Sequence, residues 1–148
     1  TRFKEMVRNK EFIEYAEVFD NFYGTSKESV NQYRSQGLDV LLEIDWQGAS
    51  QLQDLNPDAV SIFIVPPGKQ ELETRLIKRN KDSKETISRR LSQAKEDMEK
   101  ARNYNYVIVN DLFEKAADKL LTIIAAERLK TVNQLFNNDL VRSLLSAK

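Results

Sequence analysis

Phe3, Met6 and Val7 have the i, i+3, i+4 spacing of one helical face, so Thr1 to Arg8 is expected to form a short helix. The period then changes. Glu11-Phe12-Ile13-Glu14-Tyr15-Ala16-Glu17-Val18-Phe19 is rich in aromatic and branched residues and reads as extended chain. Its glutamates recur every third residue, so a two-residue repeat sends Glu11 and Glu17 to one face and Glu14 to the other, beside Phe12 and Ala16. Asp20-Asn21-Phe22-Tyr23-Gly24 is expected to turn. Thr25-Ser26-Lys27-Glu28 has the hydroxyl-x-x-Glu form of a capping box, opening a helix that buries Val30 and Tyr33 and stops at a left-handed Gly37.

Val40 to Ile44 is too apolar for a surface loop and too short for a helix, and reads as a buried parallel strand. Asp45 falls at its carboxyl end, where open α/β sheets bind ligands. Two readings of that acid stand side by side: a partner for a metal, a ribose or a cation, or the N-cap of a helix from about Gln47 to Leu55, which Asn56-Pro57-Asp58 breaks. Val60 to Val65 reads as a second buried strand, closed by Pro66-Pro67. A helix is expected from about Lys69 to Arg79, then a mobile polar loop, Asn80-Lys81-Asp82-Ser83-Lys84, then a long charged helix reaching Asn103. Tyr106 to Val109 is the third such strand, with Asn110-Asp111 at its carboxyl end. The remainder is helical, with one apolar stripe at Leu120, Ile123, Ile124 and Leu129 and another at Leu135, Leu140, Leu144 and Leu145, separated by a weak break at Asn137-Asn138. Strand–helix alternation with short gaps implies right-handed crossovers and a parallel sheet, an α/β fold.

Composition narrows the chemistry. The 148 residues suffice for one domain, and 23 basic against 23 acidic side chains argue against nucleic acid as a bulk electrostatic partner. There is no cysteine and no histidine, which removes thiol nucleophiles, disulfides, zinc–cysteine sites, serine–histidine triads and imidazole bases. Phosphoryl transfer fits what is left, because the protein's task there is positioning and charge stabilisation. No stretch approaches the ~20 apolar residues of a membrane span and no signal pattern is seen, so a cytoplasmic protein without a membrane partner is expected. The chain starts at Thr1, part-way into a helix, and an N-terminal portion of the natural protein is expected to precede it.

Three groups of residues could carry the reaction. Glu14, an acid on an otherwise apolar face, is either a salt-bridged structural residue or a reader of guanine, whose adjacent N1–H and N2–H donors suit a carboxylate fork. Tyr23, Gly24, Thr25 and Ser26 form either a plain turn with its cap or a phosphate- or base-binding helix start. Arg75, Arg79, Arg89 and Arg90 flank the polar loop, as solvated helix arginines or as a lid that closes on a polyphosphate.

Taken together, Phe12-Ile13-Glu14-Tyr15-Ala16, Asn21-Phe22-Tyr23-Gly24-Thr25-Ser26, Glu43-Ile44-Asp45-Trp46-Gln47-Gly48, Ile64-Val65-Pro66-Pro67 and Ile108-Val109-Asn110-Asp111 resemble the guanylate kinases, most closely the bacterial ones, in order and spacing over essentially the whole chain. The resemblance implies a three-layer α/β fold of the P-loop nucleoside monophosphate kinase type, a parallel central sheet flanked by helices. It implies one domain over 1–148, without its N-terminal part, with a GMP-binding subregion (1–36), core (37–68), lid (69–100), and core with C-terminal helices (101–148). It implies transfer of the ATP γ-phosphate to GMP with Mg²⁺. By the same resemblance Glu14 and Thr25 read guanine, Tyr23 holds the GMP phosphate, and Asp45, with Glu43 nearby, lies at the nucleotide cleft. Arg79 and Arg90 are lid arginines on the phosphates with Arg75 in the same element, and Asn110 lies near the adenine; Arg89 has no secure counterpart. The family's glycine-rich phosphate loop and the Thr-Arg-x-Pro-Arg stretch are not among these residues, since Gly24, Gly37, Gly48 and Gly68 build no G-x-x-x-x-G-K. The lid reads Arg79-Asn80-Lys81 where a glycine often follows the arginine. The 148 residues alone are therefore expected to be inactive and the intact protein active. The alternative is a guanylate-kinase-like module that has lost catalysis and binds proteins. The C-terminal helices could also pack on a second copy.

Overall fold

The change of period after Arg8 is a change of element. In the computed structural model, which describes residues 2–18, 21–79 and 84–146, helix α1 (Arg2–Arg8) ends before Lys10, whose φ of 56° reverses the chain into strand β1 (Phe12–Val18). β1 pairs antiparallel with β2 (Asn21–Ser26), Glu14 opposite Thr25 and Ala16 opposite Tyr23. The turn expected over Asn21 to Gly24 is thus a strand: Phe22 and Tyr23 are strand-forming residues and their backbone is satisfied by the ladder. Phe19 and Asp20, the ends of those two expectations, lie outside the described residues.

The register slips between Phe12 and Glu14. A bulge places two residues against one, and it breaks the strict alternation that would have set Phe12 beside Glu14. Phe12 instead joins the opposite face, its ring 6.2 Å from Tyr15 and 4.9 Å from Phe3, with Phe3 also 5.1 Å from Phe22. Gly24 permits this, since a Cβ there would stand 2.9 Å from the Phe12 ring. The hairpin therefore has an aromatic face under α1 and a second face carrying Glu14, Ala16, Tyr23 and Thr25.

Helix α2 (Lys27–Arg34) is capped by Ser26, whose Oγ accepts from the Ser29 N–H at 3.1 Å; Thr25, the expected cap, is used elsewhere. Val30 is buried as expected, Tyr33 is 52% exposed, and Gly37 takes a φ of 75° just beyond the helix. Val40 to Ile44 does not form the expected strand: it makes no ladder with a described strand, and Leu41 is 70% exposed. A strand exists only with a partner, and an apolar run specifies burial without supplying one. The segment leads directly into α3 (Trp46–Leu55), which packs on β1.

The chain divides into two compact units, Thr1–Ser61 and Ile62–Lys148. In the second, β3 (Ile62–Val65) and β4 (Tyr106–Val109) pair in parallel, Ile64 opposite Ile108, and the Asn110 N–H extends the ladder onto the Val65 carbonyl at 2.8 Å. Between them run α4 (Lys69–Arg79) and α5 (Lys84–Glu99), then a tighter turn over Lys100–Asn103. The expected mobile loop at Asn80 to Ser83 lies outside the described residues, and Lys84 is already helical. Ile108 is 2% exposed, whereas Ile64, Val107 and Val109 are exposed, so the strands are less buried than their composition implied.

Helices α6 (Phe113–Arg128), α7 (Thr131–Asn137) and α8 (Asp139–Ser146) complete the unit, with the expected break at Asn138 and a further one at Leu129-Lys130. That further break is anchored to β4. Tyr106 Oη donates to Glu127 Oε1 at 2.6 Å, Lys130 Nζ meets the same oxygen at 2.8 Å, and Asn133 Nδ2 donates to the Glu127 carbonyl at 2.7 Å. The Lys130 ammonium, with the Tyr106 hydroxyl, holds the Glu127 carboxyl below its ordinary 4.5. The same carboxylate raises Tyr106 and Lys130 above their ordinary 10.0 and 10.5.

Candidate active site

The second face of the hairpin holds a buried acid. Glu14 is only 4% exposed, because α3 lies against β1 through small residues: Ala16, Gly48 and Ala49 are all buried there. A carboxylate in such a place needs hydrogen-bond partners. Thr25, opposite Glu14 across the ladder, donates its hydroxyl to Oε1 at 2.5 Å. None of the described residues donates to Oε2. That oxygen faces Gly48, at which a Cβ would stand 2.6 Å away. Tyr23 shares the face with Thr25 and is 56% exposed, open to a ligand.

Asp45 is the N-cap of α3, Oδ1 accepting from the Gly48 N–H at 2.9 Å and Oδ2 from Gln47 Nε2 at 3.2 Å. Of the two readings open for Asp45, the cap is the one its contacts display. Gln51, one turn further on, uses its amide as a strand would: Nε2 donates to the Tyr15 carbonyl at 2.7 Å and Oε1 accepts from the Tyr15 N–H at 3.2 Å. This pairs backbone groups of an edge strand and fixes α3 in register with Glu14. Glu43 is exposed in the segment without a ladder. Glu14, Tyr23, Thr25 and Asp45 are thus brought together in the first unit, with Glu43 close by in sequence.

In the second unit the carboxyl end of β4 is braced from α4. Arg75 Nε donates to Glu71 Oε1 at 2.7 Å and its Nη2 to the Asn110 carbonyl at 3.1 Å. Arg75, grouped by sequence with the lid arginines, here holds the backbone beside Asn110. Arg79 is the last residue of α4; Arg89 and Arg90 lie on α5, Arg89 exposed. Among the described residues no group of three acidic, histidine or cysteine side chains is assembled to hold a metal ion by itself.

Sequence reasoning missed Gly48, Gln51 and Glu71. Glu71 stands i, i+4 from Arg75, a spacing that signals an ion pair. Gly48 in the first turn of a helix is a signal too, since alanine is the better helix former. Nothing local marks Gln51, whose partner is distant in sequence.

In chemical terms the first unit presents a carboxyl group anchored at one oxygen and without a described donor at the other, which suits adjacent N–H donors on a planar ligand. The family model described as guanylate kinase matches residues 1–127. The guanylate kinases of Sodalis glossinidius (strain morsitans) and Escherichia coli (strain K12) are each 49% identical over 145 residues, 98% of this chain and 70% of theirs. The crystal structure of guanylate kinase from Anaplasma phagocytophilum superposes with a TM-score of 0.79 at 35% identity, covering 99% of this chain and 72% of that one. Fold and sequence agree, and the chain belongs to the guanylate kinase family.

Proposed function

We propose that the protein transfers the γ-phosphoryl group of ATP to GMP, giving ADP and GDP in cytoplasmic purine nucleotide metabolism, and that Glu14 with Thr25 reads the guanine. One observation carries the assignment: Glu14 is a buried residue whose carboxylate is anchored by Thr25 at Oε1 and accepts at Oε2 from none of the described residues. Guanine supplies the missing donors through N1–H and N2–H, and adenine presents no such pair. Tyr23 meets the GMP phosphate, with Asp45 and Glu43 bordering the nucleotide. Asn110 lies on the adenine side, its backbone held by Arg75.

In the reaction a GMP phosphate oxygen attacks the γ-phosphorus in line, the new O–P bond forms as the bond to the β-phosphate oxygen breaks, and ADP carries away that electron pair. No covalent enzyme intermediate is needed. Arg79 and Arg90 neutralise charge on the transferred group. Mg²⁺ would accompany ATP and supply further neutralisation of the charge on the phosphates.

Glu14→Ala tests the reading. A charged acceptor contributes roughly 1.5 to 3 kcal/mol, so GMP binding measured by calorimetry should weaken by at least tenfold with a much smaller loss of folding stability. Equal losses in binding and stability would return Glu14 to a structural role. Because no phosphate loop is among its residues, the 148-residue chain should bind GMP and show no turnover in a coupled ATP/GMP assay; turnover would overturn the assignment of roles.

A further inference from the structure

Gly48 is a glycine in the first turn of α3, where alanine is the better helix former. Its φ is not in the left-handed region, so backbone conformation does not demand glycine. Space does. A Cβ at this position would lie 2.6 Å from Glu14 Oε2, 3.3 Å from Glu14 Cδ and 3.4 Å from Ile44 Cβ. The first distance is shorter than van der Waals contact allows, so one of the two groups would have to move.

The surroundings determine which group moves. Helix α3 is tied down at its start by the Asp45 cap on the Gly48 N–H and one turn later by the paired Gln51–Tyr15 hydrogen bonds. Glu14 has one anchor, the Thr25 hydroxyl on Oε1, and its carboxylate is the end of a rotatable side chain. A methyl group at position 48 would therefore displace the carboxylate, not the helix.

We propose that Gly48 is a positioning residue for guanine recognition: the absent side chain on α3 reserves the space in which the Glu14 carboxylate stands, and so sets the discrimination for guanine. The inference rests on the reading of Glu14 given above. It places part of the specificity in a residue that makes no hydrogen bond to the base.

A double-mutant cycle on the full chain tests it, with GMP affinity read by calorimetry and folding by thermal denaturation for the parent, Gly48→Ala, Glu14→Ala and the double variant. Gly48→Ala should weaken GMP binding about tenfold or more with little change in Tm, while in the Glu14→Ala background it should alter GMP affinity by less than about twofold. Relieved of the carboxylate, the double variant should fold at least as stably as Glu14→Ala, and Gly48→Ala combined with Glu14→Asp, a shorter acid, should regain part of the lost affinity. Unchanged affinity in Gly48→Ala, an equal loss in both backgrounds, or unfolding of the double variant would overturn the proposal and leave Glu14 as the guanine reader. If Glu14→Ala itself leaves GMP affinity unchanged, it is the reading of Glu14 that fails.

Discussion

Thr25 illustrates how a single side chain is committed by its neighbours. In a hydroxyl-x-x-Glu sequence the hydroxyl is available to cap a helix, yet here it donates to Glu14 Oε1. A buried carboxylate with an anchored oxygen is stabilised more by that donor than a helix start would be, because hydrogen bonds to charged groups are the stronger class. Thr25→Val keeps the shape and removes the donor, leaving Oε1 buried without it. The expected result is a stability loss of about 1–3 kcal/mol in chemical denaturation together with weaker GMP binding. A variant as stable as the parent would show that Glu14 does not depend on Thr25.

At the scale of elements, hairpin, cap and helix form one assembly in the first unit. The bulge after Phe12 sends the rings to α1 and leaves Glu14 facing α3, so a single irregularity separates an aromatic face from a polar one. The serine next to Thr25 takes over the start of α2. Ser26→Ala should therefore cost about 1 kcal/mol of stability, a typical N-cap loss, without weakening GMP binding comparably. A fall in GMP affinity matching that of Thr25→Val would mean that cap and base reader are not separate devices. In the second unit Arg75 serves α4 and β4 together, and this explains how an arginine grouped by sequence with a lid comes to brace Asn110.

For the whole molecule, equal numbers of acidic and basic residues leave little net field, and among the described residues no helix is long and apolar enough to cross a membrane. Electrostatic effects on stability are then local, and the Tyr106–Glu127–Lys130 cluster is the clearest. Glu127, held below its ordinary 4.5, adds stability above that pH which is lost as pH falls through its lowered folded value. Lys130 and Tyr106, raised above 10.5 and 10.0, add stability below those values that is lost as pH rises through their raised ones. Thermal midpoints of Glu127→Gln should be lower than the parent's at neutral pH and converge with them in acid. Parallel profiles through the acid range would show that the ion pair carries no weight.

Length, period and composition were enough to determine the α/β class, the positions of most helices, the strand carrying Glu14, and the exclusion of thiol and imidazole chemistry. Linked motifs at family spacing were enough for the kinase resemblance. Each of these is written in local order along the chain. What the tertiary structure alone decided concerns partners: which hydroxyl meets Glu14, whether Val40 to Ile44 joins a ladder, where Phe12 turns its ring, and that Arg75 reaches the Asn110 carbonyl. Hydrogen bonds and strand pairing join residues far apart in sequence, and a local pattern records that a group needs a partner without recording which one. Gly48 shows both halves of this: the sequence presents a glycine in a helix, and only the packing of α3 on β1 reveals the carboxylate that requires it.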